Sequence, residues 1–318
     1  MLEKQENLTW LEGKEVVDYE VGKALEKLDT RIYRLRLTYD IQGEEGSVED
    51  WIDLLARMLQ DPAVAETSGL VVGLWDYEGV VNGNNEDIVE ALVAARSKLP
   101  KLRALFLGDI ISEESEVSWI RQSDVSPLFN AYPELEYFGV RGGENLHLGQ
   151  LRHNSLRKLV VEAGGLPREV VQEVLSSDLP ALEHLELWLG DNGYGGDTTI
   201  DDLTPLFSNN LFPRLRYLGL RDSEITNEIA LAVTQSPLLE QLEVLDLSLG
   251  LLDDWGAEFL VNTPAVKRLK KLDLHYNYCS QEITERLQAV LGDRVNVEDS
   301  QSPNIHRPEE NRYVAVSE

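Results

Sequence analysis

Six strings along the chain carry apolar residues at the spacing LxxLxL: LRALFL from Leu102, LRKLVV from Leu156, LEHLEL from Leu182, LRYLGL from Leu215, LEVLDL from Leu242 and LKKLDL from Leu269. Looser copies begin at Ile32 (IYRLRL), Gly69 (GLVVGL), Leu135 (LEYFGV) and Gly292 (GDRVNV). Alternation over so few positions predicts a short strand in each. The segments between them step differently. DIVEALVAARSKL (87–99), PREVVQEVLSSDL (167–179), TNEIALAVTQS (226–236) and DWGAEFLVNT (254–263) place apolar residues three and four apart, which predicts amphipathic helices. Pro100, Pro133, Pro180 and Pro213 each stand two residues ahead of the next string, where proline ends a helix and favours extended backbone before it.

The strings start 37, 33, 33, 21, 26, 33, 27, 27 and 23 residues apart, so a strand-then-helix unit repeats. One unit cannot bury its own apolar face, whereas stacked units share a continuous core. The fold class expected is α/β, a solenoid of about nine or ten repeats over residues 32–298. Its parallel strands line the inside of a horseshoe and its helices the outside. Residues 1–31 are expected to cap the first unit and residues 299–318 to form a polar tail, in which RYVAVSE (312–318) is apolar enough that docking as a short strand and disorder are both open readings. The interval between Leu135 and Leu156 is short enough that its helix shrinks to one turn or is absent.

In these strings the chain resembles leucine-rich-repeat proteins of the ribonuclease-inhibitor-like class, most closely over LEVLDLSLGLLDDWGAEFLVNTPAVKRLKKLDL (242–274). LRALFLGDI (102–110), LEHLELWLG (182–190), LRYLGLRDSEI (215–225) and RYVAVSE (312–318) also resemble a bacterial family of cytoplasmic leucine-rich-repeat proteins without an assigned activity. The repeat pattern of the class continues to an asparagine that bonds backbone in the neighbouring turn. Only Asn277 fills that place; Gly143, Gly164, Gly190 and Gly250 stand in others. The resemblance therefore implies the fold and leaves the turns, and the ligand, open.

Period two sets which residues face away from the core. The outward positions carry Trp75, Phe106, Tyr137, Arg141, His184, Trp188, Tyr217, Arg221 and His275, with Gly73, Gly139 and Gly219 between them. Tyr, Trp and Arg dominate binding hot spots, and an exposed aromatic column is otherwise a cost. These nine residues are the candidate partner-binding face. The competing reading is that the rings pack along their own column and that Asp109, Asp222 or Glu186 neutralises the arginines.

Composition narrows the partner. The chain has 318 residues, 52 of them leucine, and a formal net charge of −28. Such a charge argues against nucleic acid, whose binders need a basic face, and against anionic lipid. No apolar run has the length of a membrane helix, and the first residues, MLEKQENLTWLEGKE, lack an apolar signal core. The single cysteine, Cys279, forms no internal disulfide, and a cytoplasmic location is the expectation.

Catalytic motifs are missing: there is no GxSxG, HExxH, P-loop or strand-linked GxGxxG. The nearest nucleophile constellation is Asp273, His275 and Cys279, with Cys279 beyond the turn and better read as a small buried hydrophobe. DNGYGGDTTIDD (191–202) gathers oxygen ligands of a kind that suits calcium but lacks the EF-hand spacing. With DIQGEEGSVED (40–50) and DYEGVVNGNNED (76–87) it reads equally as an acidic rim. The function expected is a non-catalytic scaffold that takes another protein or a peptide, with no cofactor. The alternatives are a recognition or accessory subunit of an enzyme, and an acidic inhibitor covering a basic surface.

Overall fold

The computed structural model describes residues 6–37, 50–76, 83–208, 210–301 and 312–316. Among them the strand strings form one 12-stranded sheet whose spatial order is the sequence order. The strands are β1 (Trp10–Leu11), β2 (Lys14–Asp18), β3 (Arg31–Leu35), β4 (Gly69–Val72), β5 (Ala104–Leu107), β6 (Tyr137–Arg141), β7 (Lys158–Glu162), β8 (His184–Gly190), β9 (Tyr217–Ser223), β10 (Val244–Asp246), β11 (Lys271–Asp273) and β12 (Val295–Asn296). β1 pairs antiparallel with β2, and every later neighbour pairs parallel. A mostly parallel sheet strung in chain order is consistent with a solenoid, because each unit touches only its neighbours.

Eight α-helices are present among the described residues: α1 (Trp51–Met58), α2 (Glu86–Ala94), α3 (Ser126–Ala131), α4 (Arg168–Leu175), α5 (Ile200–Ser208), α6 (Thr226–Gln235), α7 (Asp254–Asn262) and α8 (Gln281–Leu291). Their apolar faces and the sheet enclose one long core. Leu105, Phe138, Leu159, Leu185, Leu218, Leu245 and Leu272 lie side by side across successive strands at its base. Caps set the helix starts: Asp50 accepts the Asp53 N–H, Asp253 the Trp255 N–H and Ser280 the Ile283 N–H. No helix forms between β6 and β7, where residues 142–157 run as bridged turns instead. There the buried His153 takes the helix's place. Its Nδ1 accepts the Leu156 N–H at 3.0 Å, and its Nε2 lies 3.2 Å from the Tyr132 carbonyl.

The turns after the strands are held in three ways. Asn277, fully buried, donates to the Leu274 and Val297 carbonyls and accepts the Cys279 N–H, spanning neighbouring turns. Where glycine replaces it, backbone packs on backbone: a Cβ on Gly190 would stand 2.1 Å from the Gly164 oxygen. Near β5 and β6 the buried Gln122 donates to the Arg141 carbonyl at 2.7 Å and meets Asn85, whose oxygen accepts from Ser123. Residues 299–301 extend the sheet edge through a bridge from Ser300 to Asn277. The strings 40–49 and 77–82 of two expected rim loops lie outside the described residues. No helix among the described residues is long and apolar enough to cross a membrane.

Candidate functional site

The face of the sheet turned away from the helices has two unlike sectors. From β3 to β7 its side chains form a second apolar cluster of Ile32, Val71, Ala104, Phe106, Tyr137 and Val160, joined by Leu11, Val16 and Leu8 from the N-terminal segment. Phe106 is fully buried, and its ring occupies the space that Gly139 leaves, where a Cβ would approach to 2.3 Å. Arg141, also buried, lies 5.7 Å above that ring. Its guanidinium pairs with Glu162 at 2.7 Å and Asp109 at 3.7 Å and donates to the Ile110 carbonyl. Asp109, itself fully buried, also holds Arg34 at 2.7 Å.

Over this sector runs the chain's own beginning. Leu8 donates its N–H to Asp109, Arg36 donates to the Asn7 side chain, and Lys158 on β7 reaches Glu12 at 2.7 Å. Phe106, Tyr137 and Arg141 are thus covered by residues 6–12 and present no open surface. Trp75 corrects the sequence expectation differently: it lies in the main core between sheet and helices. β4 ends at Val72, and the alternation that would turn Trp75 outward stops with the strand.

From β8 to β11 the same face is polar and partly open. His184 and Tyr217, side by side in register, stack with centroids 3.8 Å apart and planes 4° from parallel. Gly219 leaves room for the Tyr217 ring, whose hydroxyl lies 3.0 Å from Glu186 and 2.8 Å from Asp246. Arg221 stacks 4.8 Å over Trp188 and donates to Glu186 at 2.8 Å and to Ser248 at 2.9 Å. Trp188 donates its indole N–H to the same Glu186. Burial alone would raise the Glu186 carboxyl, but His184, Arg221 and Trp188 together hold it well below its ordinary 4.5. Tyr217 is pushed far up by burial and by the facing Glu186 and Asp246. On β11 and its following turn, His275 Nδ1 meets Asp273 at 2.8 Å and Lys271 meets it at 2.5 Å, holding that carboxylate low against the effect of burial. Both arginines singled out by sequence are therefore engaged by carboxylates of this chain.

Cys279 does not join Asp273 and His275. It is buried in the main core with its thiol toward the Leu252 carbonyl, and burial, with Asp254 and Asp253, pushes it up to about 12. In the 191–202 loop the acids serve as caps. Asp191 accepts the Gly193 N–H, Asp197 pairs with Arg168 and accepts its N–H, and Asp202 accepts from Thr199. No cluster of three potential metal-ligating side chains exists among the described residues.

The other chain end makes a site that the repeat pattern did not reveal. Residues 312–316 pack, without forming a strand, against the turns after β9, β10 and β11. The Ala315 N–H donates to the Leu249 carbonyl and the Val316 N–H to the fully buried Asp222 carboxylate, while Tyr276 and Tyr278 donate to the Tyr313 carbonyl. Leu249 and Tyr276 hold positive φ, 69° and 55°, a left-handed conformation costing about 1–2 kcal/mol for such residues. The docked segment packs on both strained side chains. Val117, from the loop after β5, belongs to the same cluster, and Trp188 packs against it. The apolar character of RYVAVSE was the available signal.

No family model matches the chain, and no curated protein does. Among solved structures, an internalin from Listeria monocytogenes is 14% identical, with 78% of this chain and 70% of that one covered, but its TM-score of 0.38 carries no argument. A protein from Bacteroides fragilis with a crystal structure is 37% identical at a TM-score of 0.77, with 85% of this chain and 74% of that chain covered. Identity of that level over most of both chains marks common descent, and the chain belongs to the family of that Bacteroides fragilis protein.

Proposed function

We propose that the chain is a leucine-rich-repeat solenoid of the ribonuclease-inhibitor-like class, a horseshoe with strands inside, acting as a non-catalytic scaffold for an extended protein segment. Curvature is supported by one ion pair. Strands stand about 4.8 Å apart, so β2 and β7 of a flat sheet would be separated by roughly 24 Å. Lys158 on β7 nevertheless reaches Glu12 in the turn before β2 at 2.7 Å.

The observation that carries the reading is that extended chain already lies on this face and its rim. Residues 6–8 and 313–316 are both held through backbone N–H and C=O groups by side chains of the sheet and its turns. Groups so arranged recognise polypeptide as a class. The open sector from β8 to β11, with Trp188, Arg221, His184, Tyr217 and His275, is the place left for a partner. The high thiol of Cys279 and its place in the core favour a scaffold over a covalent enzyme. An accessory enzyme subunit, or an acidic inhibitor, would use the same surface.

A peptide display library selected on the intact protein checks this. Enriched peptides should bind the parent and lose at least about tenfold in affinity on Trp188→Ala. Absence of enrichment, or equal binding to that variant, removes the reading. Steep weakening with salt would move the interface from the aromatic anchors to the acidic rim.

A further inference from the structure

Apart from the half-exposed Lys158, whose carboxylate partner is Glu12, residues 6–12 are bound by groups whose charges are already balanced without them. Asp109 lies between Arg34 and Arg141; Arg34 also pairs with Asp18 at 2.6 Å, Arg141 with Glu162, and Arg36 with Glu114. Lifting the segment away leaves no buried charge alone, so the usual penalty for breaking a buried pair does not apply. What the segment supplies is mostly neutral. The Glu6 and Leu8 carbonyls accept from Arg141 and Arg34 at 3.4 and 3.3 Å, and the Leu8 N–H donates to Asp109 at 3.0 Å.

One side chain is read on both sides. Asn7 accepts from Arg36 at 2.8 Å and donates to the Asp109 carbonyl at 3.1 Å. The amide meets both demands, whereas a carboxylate would set an oxygen against that carbonyl. Leu8 then packs on the cluster around Phe106, and Glu12 takes Lys158. Within the segment, β1 is two residues long and pairs with β2, Leu11 is buried in the same cluster while Trp10 is 64% exposed, and the chain turns at Glu12 and Gly13 with φ of 47° and 75°.

We infer that residues 6–12 are a tethered occupant of a peptide groove over β3–β7. The groove accepts in trans an extended partner segment with an Asn-Leu step and a carboxylate four residues after the leucine. This rests on the reading of the face as a receptor for extended chain, but concerns the covered sector. The tether acts as a competitor at millimolar effective concentration, and lowers apparent affinity by the fraction of time the groove is filled.

The test uses a fluorescent synthetic peptide of residues 4–12 and full-length protein, read by anisotropy. Leu8→Asp, which loosens the tether, should bind the probe at least about tenfold more tightly than the parent. Asn7→Ala, a milder change, should move it in the same direction if Leu8→Asp does not fold. A probe with Asp at its asparagine, or a Leu8→Asp protein that also carries Lys158→Ala, should bind more weakly than the Leu8→Asp protein binds the parent probe. Trp188→Ala should leave probe binding unchanged. Folded tether variants that ignore the probe, or bind the Asp probe equally, overturn the inference. Peptides dependent on Trp188 would survive that result, so the two sectors fail separately.

Discussion

The strings that build β4–β7 and those that build β8–β11 look alike as leucine repeats, yet one sector of the face is filled and the other is wet. The first reads GLVVGL, LRALFL, LEYFGV and LRKLVV, with apolar residues or glycine at many outward positions. The second reads LEHLEL, LRYLGL, LEVLDL and LKKLDL, where His184, Glu186, Asp246, Lys271 and Asp273 alternate with leucine. A continuous apolar run signals a strand buried on both faces, and strict alternation one buried on a single face. Chain that covers the first sector comes from the N-terminus; over the second, a charged aromatic network stands partly open. A repeat register tells where side chains point, and the chemistry at those positions tells whether anything lies on them.

The largest effects should come from removing the centre of either sector. Phe106→Ala empties a fully buried site in the filled sector and should cost about 3–5 kcal/mol, measured by denaturant unfolding. Glu186→Ala should cost about 1–3 kcal/mol, because Trp188 and Arg221 lose their acceptor at 2.8 Å while Asp246, 3.6 Å from Arg221, still balances its charge. The two should differ in acid. The Glu186 carboxyl is depressed in the folded state, so its contribution is complete above its ordinary 4.5 and lost as pH falls below it. The penalty of Glu186→Ala should therefore shrink below that pH, whereas that of Phe106→Ala should not.

Ala315→Asp would force a charge into the docked C-terminal site and should cost about 2 kcal/mol or more, while changing Trp188 fluorescence through the shared cluster. An unchanged spectrum would contradict that packing. Trp188→Ala removes a half-buried ring from the open sector and should cost only about 1 kcal/mol, so that lost peptide binding reports on the surface. The smallest effect concerns the helix-free repeat. His153 Nδ1 accepts an N–H, so the neutral ring is the one that fits, and burial lowers its pKa. Stability from this group is complete above its ordinary 6.5 and lost as pH falls below it, and His153→Gln should remove that slope from a melting-temperature profile.

Much of the fold was legible in the sequence. The columns Tyr137, His184 and Tyr217, and Trp188 beside Arg221, follow from period two, and the missing helix after β6 from a 21-residue interval. Trp75 was misplaced because alternation ends with β4. The cover over Phe106, Tyr137 and Arg141 was not legible from the repeats, since it depends on contacts across more than a hundred residues, as between Glu6 and Arg141. The 312–316 segment on Asp222 and Leu249 is likewise set by long-range contacts, Val316 and Asp222 standing 94 positions apart. Neither end has a repeat to set its register.

Hydroxyl-radical footprinting of the intact protein, read residue by residue by mass spectrometry, tests the division of the face most directly. His184, Trp188 and Tyr217 should oxidise readily, and Phe106 and Tyr137 only after unfolding, because the N-terminal segment and the neighbouring columns exclude solvent from them. Oxidation of Phe106 and Tyr137 in the folded protein at the rate of Tyr217 would contradict it.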